Sequence, residues 1–141
     1  MLGPRWDVLA WNDVFTRVFR FPQDGSENRN AIRHAFLNPI VAGLFVDWPA
    51  QARSMVATFR VNYAGHIGDD AFESLVADLI AQSPLFGELW SESEVLSPTD
   101  ARSATLRDTA TQFSLYSGVT LIVPDYPETT AVFGLIEDAV T

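Results

Sequence analysis

The hydrophobic period of this chain changes once, and that change bounds the folds open to it. Before Ser97, Pro98 and Thr99, apolar residues recur every three or four positions, the spacing of one face of a helix. After them, "ATLRDTATQFSLYSGVTLIV" favours strands, with Phe113 and Leu115 alternating against Gln112, Ser114 and Tyr116. "PDYPET" (124–129) is a strong turn, and "TAVFGLIED" reads as a partner strand. Residues 111–123 and 130–136 are therefore expected to form a hairpin.

The helical part is punctuated clearly. In "DWPAQARSMVATFRVNYAG", Asp47 is placed to cap a helix and Pro49 falls in its first turn, where a missing N–H costs nothing. Trp48, Ala52, Met55, Val56, Phe59 and Tyr63 fall on one face, and Gly65 is placed to end the helix. "DDAFESLVADLIAQS" follows, with Asp70 and Glu73 spaced like a capping box and a stripe of Phe72, Leu75, Val76, Leu79 and Ile80. "SPLFGELW" makes a short third helix capped by Ser83, with Phe86, Leu89 and Trp90 on its apolar side. Upstream, Asn12 can cap a helix over 13–19, and a further helix from about residue 28 must stop before Pro39.

The chain opens with "RWDVLAWN". Trp6, Val8, Leu9 and Trp11 read as a strand over 5–11 that Asn12 terminates. One strand in front, several behind and helices between imply an α+β domain: an antiparallel sheet with helices packed on one face. Strand 5–11 should then pair with strands from 103–136. The 141 residues are expected to be a single domain.

Charge and residue usage narrow the chemistry. Nine cations, all of them Arg, face eighteen Asp plus Glu, for a net charge of −9. Such a surface repels phosphate backbones and anionic membranes. With no Cys, thiolate metal sites, disulfides and a Cys nucleophile are excluded. His34 and His66 have no metal-ligand spacing to a second ligand. No nucleophile elbow, zinc-protease helix, P-loop or dinucleotide fingerprint is present, and acidic pairs such as Asp69–Asp70 read as caps. The chain is therefore not expected to be an enzyme and to need no cofactor. It shows no signal-peptide pattern and no apolar run near the roughly 20 residues that span a bilayer. A cytoplasmic location away from membranes is the expectation.

"RWDVLAWN", "NAIRHAFLNP", "DWPAQARSMVATFR", "DDAFESLVADLIAQSPLFGELW" and "FSLYSGVTLIVPDYPETTAVFGLIED" occur in one order. That order resembles the MmyB-like, or MltR-type, transcription-regulator ligand-binding domain over residues 4–138. The resemblance rests on Asn12; Asn30, Arg33, Phe36, Asn38 and Pro39; Asp47 and Trp48; Phe59 and Arg60; and Ser83, Phe86 and Trp90. It implies a PAS-like fold and the sensor part of an Xre-type regulator, with a fatty-acid-like effector in an apolar interior. DNA would then be reached only through an N-terminal helix-turn-helix domain that this chain lacks. A homodimer is expected. Relatives commonly carry His-Pro before the hairpin, where this chain has Arg107-Asp108, so effector identity does not carry over.

The ligand-lining set expected on this reading is Phe36, Trp48, Met55, Val56, Phe59, Arg60, Trp90, Phe113 and Leu115, between the long helix and the sheet. Met55 suits varied guests because its thioether is flexible. Arg60 can meet a carboxylate at the mouth of the site, or serve as an ordinary helix-terminal charge. The rival reading is a dimerisation or interaction module whose interior is simply packed.

Overall fold

In the computed structural model the chain is described over residues 1–19, 21, 29–92, 103–107, 112–123 and 125–138. For the strands only the backbone enters. Six helices come first: α1 (Asp13–Phe19), α2 (Ala31–Leu37), α3 (Pro39–Leu44), α4 (Trp48–Ala64), α5 (Asp70–Gln82) and α6 (Pro84–Ser91). Three strands follow: β1 (Ser103–Arg107), β2 (Gln112–Val123) and β3 (Tyr126–Asp138), joined as an antiparallel meander in the order β1-β2-β3.

The helix starts follow their caps. Asn12 Oδ1 accepts from the Phe15 N–H at 2.9 Å to open α1. Asn38 Oδ1 accepts from Ile40 N–H, Asp47 Oδ1 from Ala50 N–H, and Ser83 Oγ from Phe86 N–H. Pro39, Pro49 and Pro84 sit in the first turns of α3, α4 and α6, where their missing N–H has no helical partner to lose. The cap of α5 is Asp69, one residue before the expected capping box. Its carboxylate accepts from Ala71 and Phe72 N–H, which leaves Glu73 free to take the Tyr63 hydroxyl at 2.8 Å. Gly68, at φ +91°, makes the turn between α4 and α5 in a region that favours glycine.

The α+β expectation, a PAS-like antiparallel sheet with helices packed on one face, is overturned. Among the described residues up to Glu92 the chain is helical and holds no sheet, and its core closes helix on helix. Residues 5–11 do not form a strand and do not join β1–β3. Only isolated bridges occur there, Leu2 with Val8 and Asp7 with Asn30. Backbone bonds from Trp6 N–H to Gly3 and from Gly3 N–H to Asp7 fold the segment back on itself. Trp6 takes a positive φ of 65°, which no strand allows. Trp6 and Val8 are packing groups of a tight turn, Trp6 with its ring edge-on against Phe59 at 5.6 Å and Val8 buried, whereas Leu9 is exposed. In the late segment, the expected hairpin of 111–123 with 130–136 is present in the backbone over the described residues, with Leu115 opposite Ile136 and Thr120 opposite Val132, but β3 begins at Tyr126, inside the stretch expected as the turn.

Two hydrophobic clusters make the core. The larger gathers Ile32, Ala52, Val56, Phe59, Phe72, Leu75, Val76, Leu79, Phe86 and Leu89 from α2, α4, α5 and α6. The smaller gathers Ala35, Val41 and Phe45 around α3. Phe59, Phe72 and Phe86 are wholly buried, each contributing roughly 1.5–3 kcal/mol of transfer free energy. β1 runs beside α3.

Candidate functional site

The two clusters meet at Phe36 and Trp48, which pack against both. Residue spacing explains why. Phe36 lies one position after Ala35, a member of the smaller cluster, and four after Ile32, a member of the larger, so it stands between the two faces of α2. Trp48 opens α4 directly above Asp47, its cap, so its indole is held at the start of a fixed helix. The Phe36 and Trp48 rings are 5.4 Å apart. Phe36 also meets Phe86 edge-on at 5.3 Å, and Trp48 meets Phe45 at 5.6 Å.

From this seam an unbroken chain of rings crosses the helical body. In one direction it runs through Phe45, Phe19, Phe15 and Phe21 to Trp11. In the other it runs through Phe86, Trp90 and Phe59 to Phe72, with Tyr63 bridging Trp90 and Phe72. Phe36, Trp48 and Trp90 are only half-buried. Met55 is half-buried against the smaller cluster.

The expected ligand-lining residues divide on this frame. Phe36 and Trp48 come together at the seam, and Met55 packs on the smaller cluster beside it. Val56 and Phe59 lie inside the larger cluster, and Trp90 packs on its edge. Phe113 and Leu115 fall on β2, opposite Leu106 and Ala104 of β1, and their side chains lie outside the described residues. Arg60 is not at the seam. Its Nη1–H donates to the Glu92 carbonyl at 2.8 Å, and Nη2–H donates to the carbonyls of Leu89, at 3.2 Å, and Trp90. Its guanidinium lies 5.1 Å from the centre of the Trp90 ring.

Sequence reasoning missed α3 with Val41 and Phe45, and with them half of the seam. The readable signal is Asn38-Pro39, a cap followed by a first-turn proline, which also marks the end of α2. His34 donates from Nε2 to the Phe19 carbonyl at 2.7 Å and meets Phe21 edge-on, a packing role that ties α2 to the end of α1.

The site is apolar and aromatic, with one adaptable thioether. Its lining is of the kind that packs against apolar groups. Among the described residues no group of three His, Cys, Asp or Glu is placed to hold a metal ion, and no helix is long and apolar enough to cross a membrane. The Tyr63 hydroxyl donates to Glu73; that bond, with burial and the nearby carboxylate charge, raises the phenol pKa above its ordinary value.

No curated protein and no solved structure matches the chain. Residues 1–137 match the MmyB-like transcription regulator ligand binding domain, nearly the whole sequence. This protein therefore belongs to the MmyB-like transcription regulator ligand binding domain family.

Proposed function

We propose that this domain senses a fatty-acid-like or similarly apolar effector for an Xre-type helix-turn-helix regulator. The reaction is binding alone, with no catalysis. The effector lies against Phe36 and Trp48 at the seam and Met55 on the smaller cluster, backed by Val56 and Phe59 and bordered by Trp90, with Phe113 and Leu115 contributed from β2. DNA is contacted by a separate helix-turn-helix domain, the protein acts in the cytoplasm, and two copies associate. One observation carries the reading: Phe36 and Trp48 join both core clusters yet stay only half-buried. Partly exposed aromatic walls fixed by capped helices are a preformed surface for an apolar guest.

Native mass spectrometry of the purified chain, followed by titration with palmitic acid, tests this. A bound lipid is expected. Met55→Ala and Trp48→Ala should each weaken binding by about 1–3 kcal/mol, the value of the apolar area removed. If no lipid binds and both variants behave as the parent does, the sensor reading falls. The packed dimerisation module then stands, a reading favoured by the complete burial of Phe59, Phe72 and Phe86.

A further inference from the structure

α6 ends without a glycine cap. Its last residue is Ser91, and the following Glu92 is extended at φ −68°, ψ 132°. The last carbonyls of any helix have no partner within it. Here Arg60, from the middle of the chain, answers three of the carbonyls at this end: Leu89, Trp90 and Glu92. The same guanidinium covers the Trp90 ring at 5.1 Å. Phe86 stacks on that ring with planes 15° apart, and Tyr63 meets it edge-on at 5.1 Å. Backbone and side chain of Trp90 are thus fixed by one cation. A lysine could place its charge over the ring, but as a point donor it could not span carbonyls that a planar fork reaches together.

We infer that Arg60 is a positioning residue of the effector site: it acts on the ligand through Trp90, without touching it. The inference rests on the sensor reading, in which Trp90 borders the site. A carboxylate partner would behave differently. Arg60 would then favour a free acid over its ester, and its loss would be felt whatever stood at residue 90. A positioning residue makes no such distinction, and its effect vanishes once the indole is gone.

The test is a double-mutant cycle on the 141-residue chain. Palmitic acid and methyl palmitate are titrated into the parent, Arg60→Gln, Trp90→Phe and the double variant. Expected for Arg60→Gln is a loss of about tenfold, the same for acid and ester, with tryptophan emission shifted to longer wavelength as Trp90 loosens. In the Trp90→Phe background the same substitution should cost less than about twofold. Arg60→Lys, a milder change should Arg60→Gln fail to fold, is expected to recover part of the affinity for both compounds. A loss confined to the acid, or one that adds fully to that of Trp90→Phe, overturns the inference and leaves the sensor reading in place. Binding of neither compound by the parent chain overturns both.

Discussion

Asn30 is one of two buried polar residues among the described residues, and its side chain satisfies three partners. Its Oδ1 accepts from Arg33 N–H at 3.0 Å to cap α2. Its Nδ2 donates to the Arg5 carbonyl at 2.7 Å and to Asp7 Oδ1 at 3.1 Å, pinning the opening turn to the helix. Asn30→Ala removes a cap and leaves the half-buried Arg5 carbonyl without this donor, so about 2 kcal/mol of stability should be lost. In urea denaturation this appears as a lower midpoint with an unchanged slope. Tyr63 carries a pH dependence. Its folded pKa is raised above 10.0, first by the hydrogen bond to Glu73 and then by burial and the carboxylate charge. The folded state keeps a proton that the unfolded state surrenders, so this contribution is whole below pH 10 and is lost as pH rises beyond it. Urea melts between pH 9 and 11 should therefore show the parent losing stability faster than Tyr63→Phe.

Among the elements, α4 is the one whose reading needed least revision. Asp47, Pro49 and the stripe from Trp48 to Tyr63 defined it before any packing was known, because caps and period are local signals. Of that stripe, Ala52, Val56 and Phe59 are the members that become fully core. Phe59→Ala should cost about 3–5 kcal/mol, since the ring touches Trp6, Phe72 and Trp90 and its loss leaves a cavity between three elements. Calorimetry would register a large fall in Tm, and a loss under about 1 kcal/mol would mean that the neighbours collapse into the space. Elsewhere local signals misled. Trp6, Val8 and Trp11 have strand propensity, yet the Gly3–Trp6 turn decides their course, and propensity for strands yields to tertiary context. α3 was hidden because Pro39 both ends one helix and begins the next. The seam itself was not legible. Phe36 and Trp48 were picked out singly, but which clusters they join depends on Phe45 and Val41, whose helix had not been recognised.

At the scale of the whole molecule, a net charge of −9 leaves no basic footprint. The 141-residue chain should leave duplex DNA unshifted in a gel assay at physiological salt, and a tight complex would contradict the charge argument. The long reach from Arg60 to the end of α6 has a further consequence, one of timing. α6 is eight residues long, below the roughly 12–15 at which an isolated helix becomes stable in water. Its terminal carbonyls are answered from about thirty residues upstream. A synthetic peptide of residues 83–92 should accordingly show coil-like circular dichroism. On the ribosome, α4 emerges before α6, so the residue that completes this segment is already synthesised when it arrives. The end of this short helix is thereby tied to the order of α4, so loosening α4 should fray α6 as well.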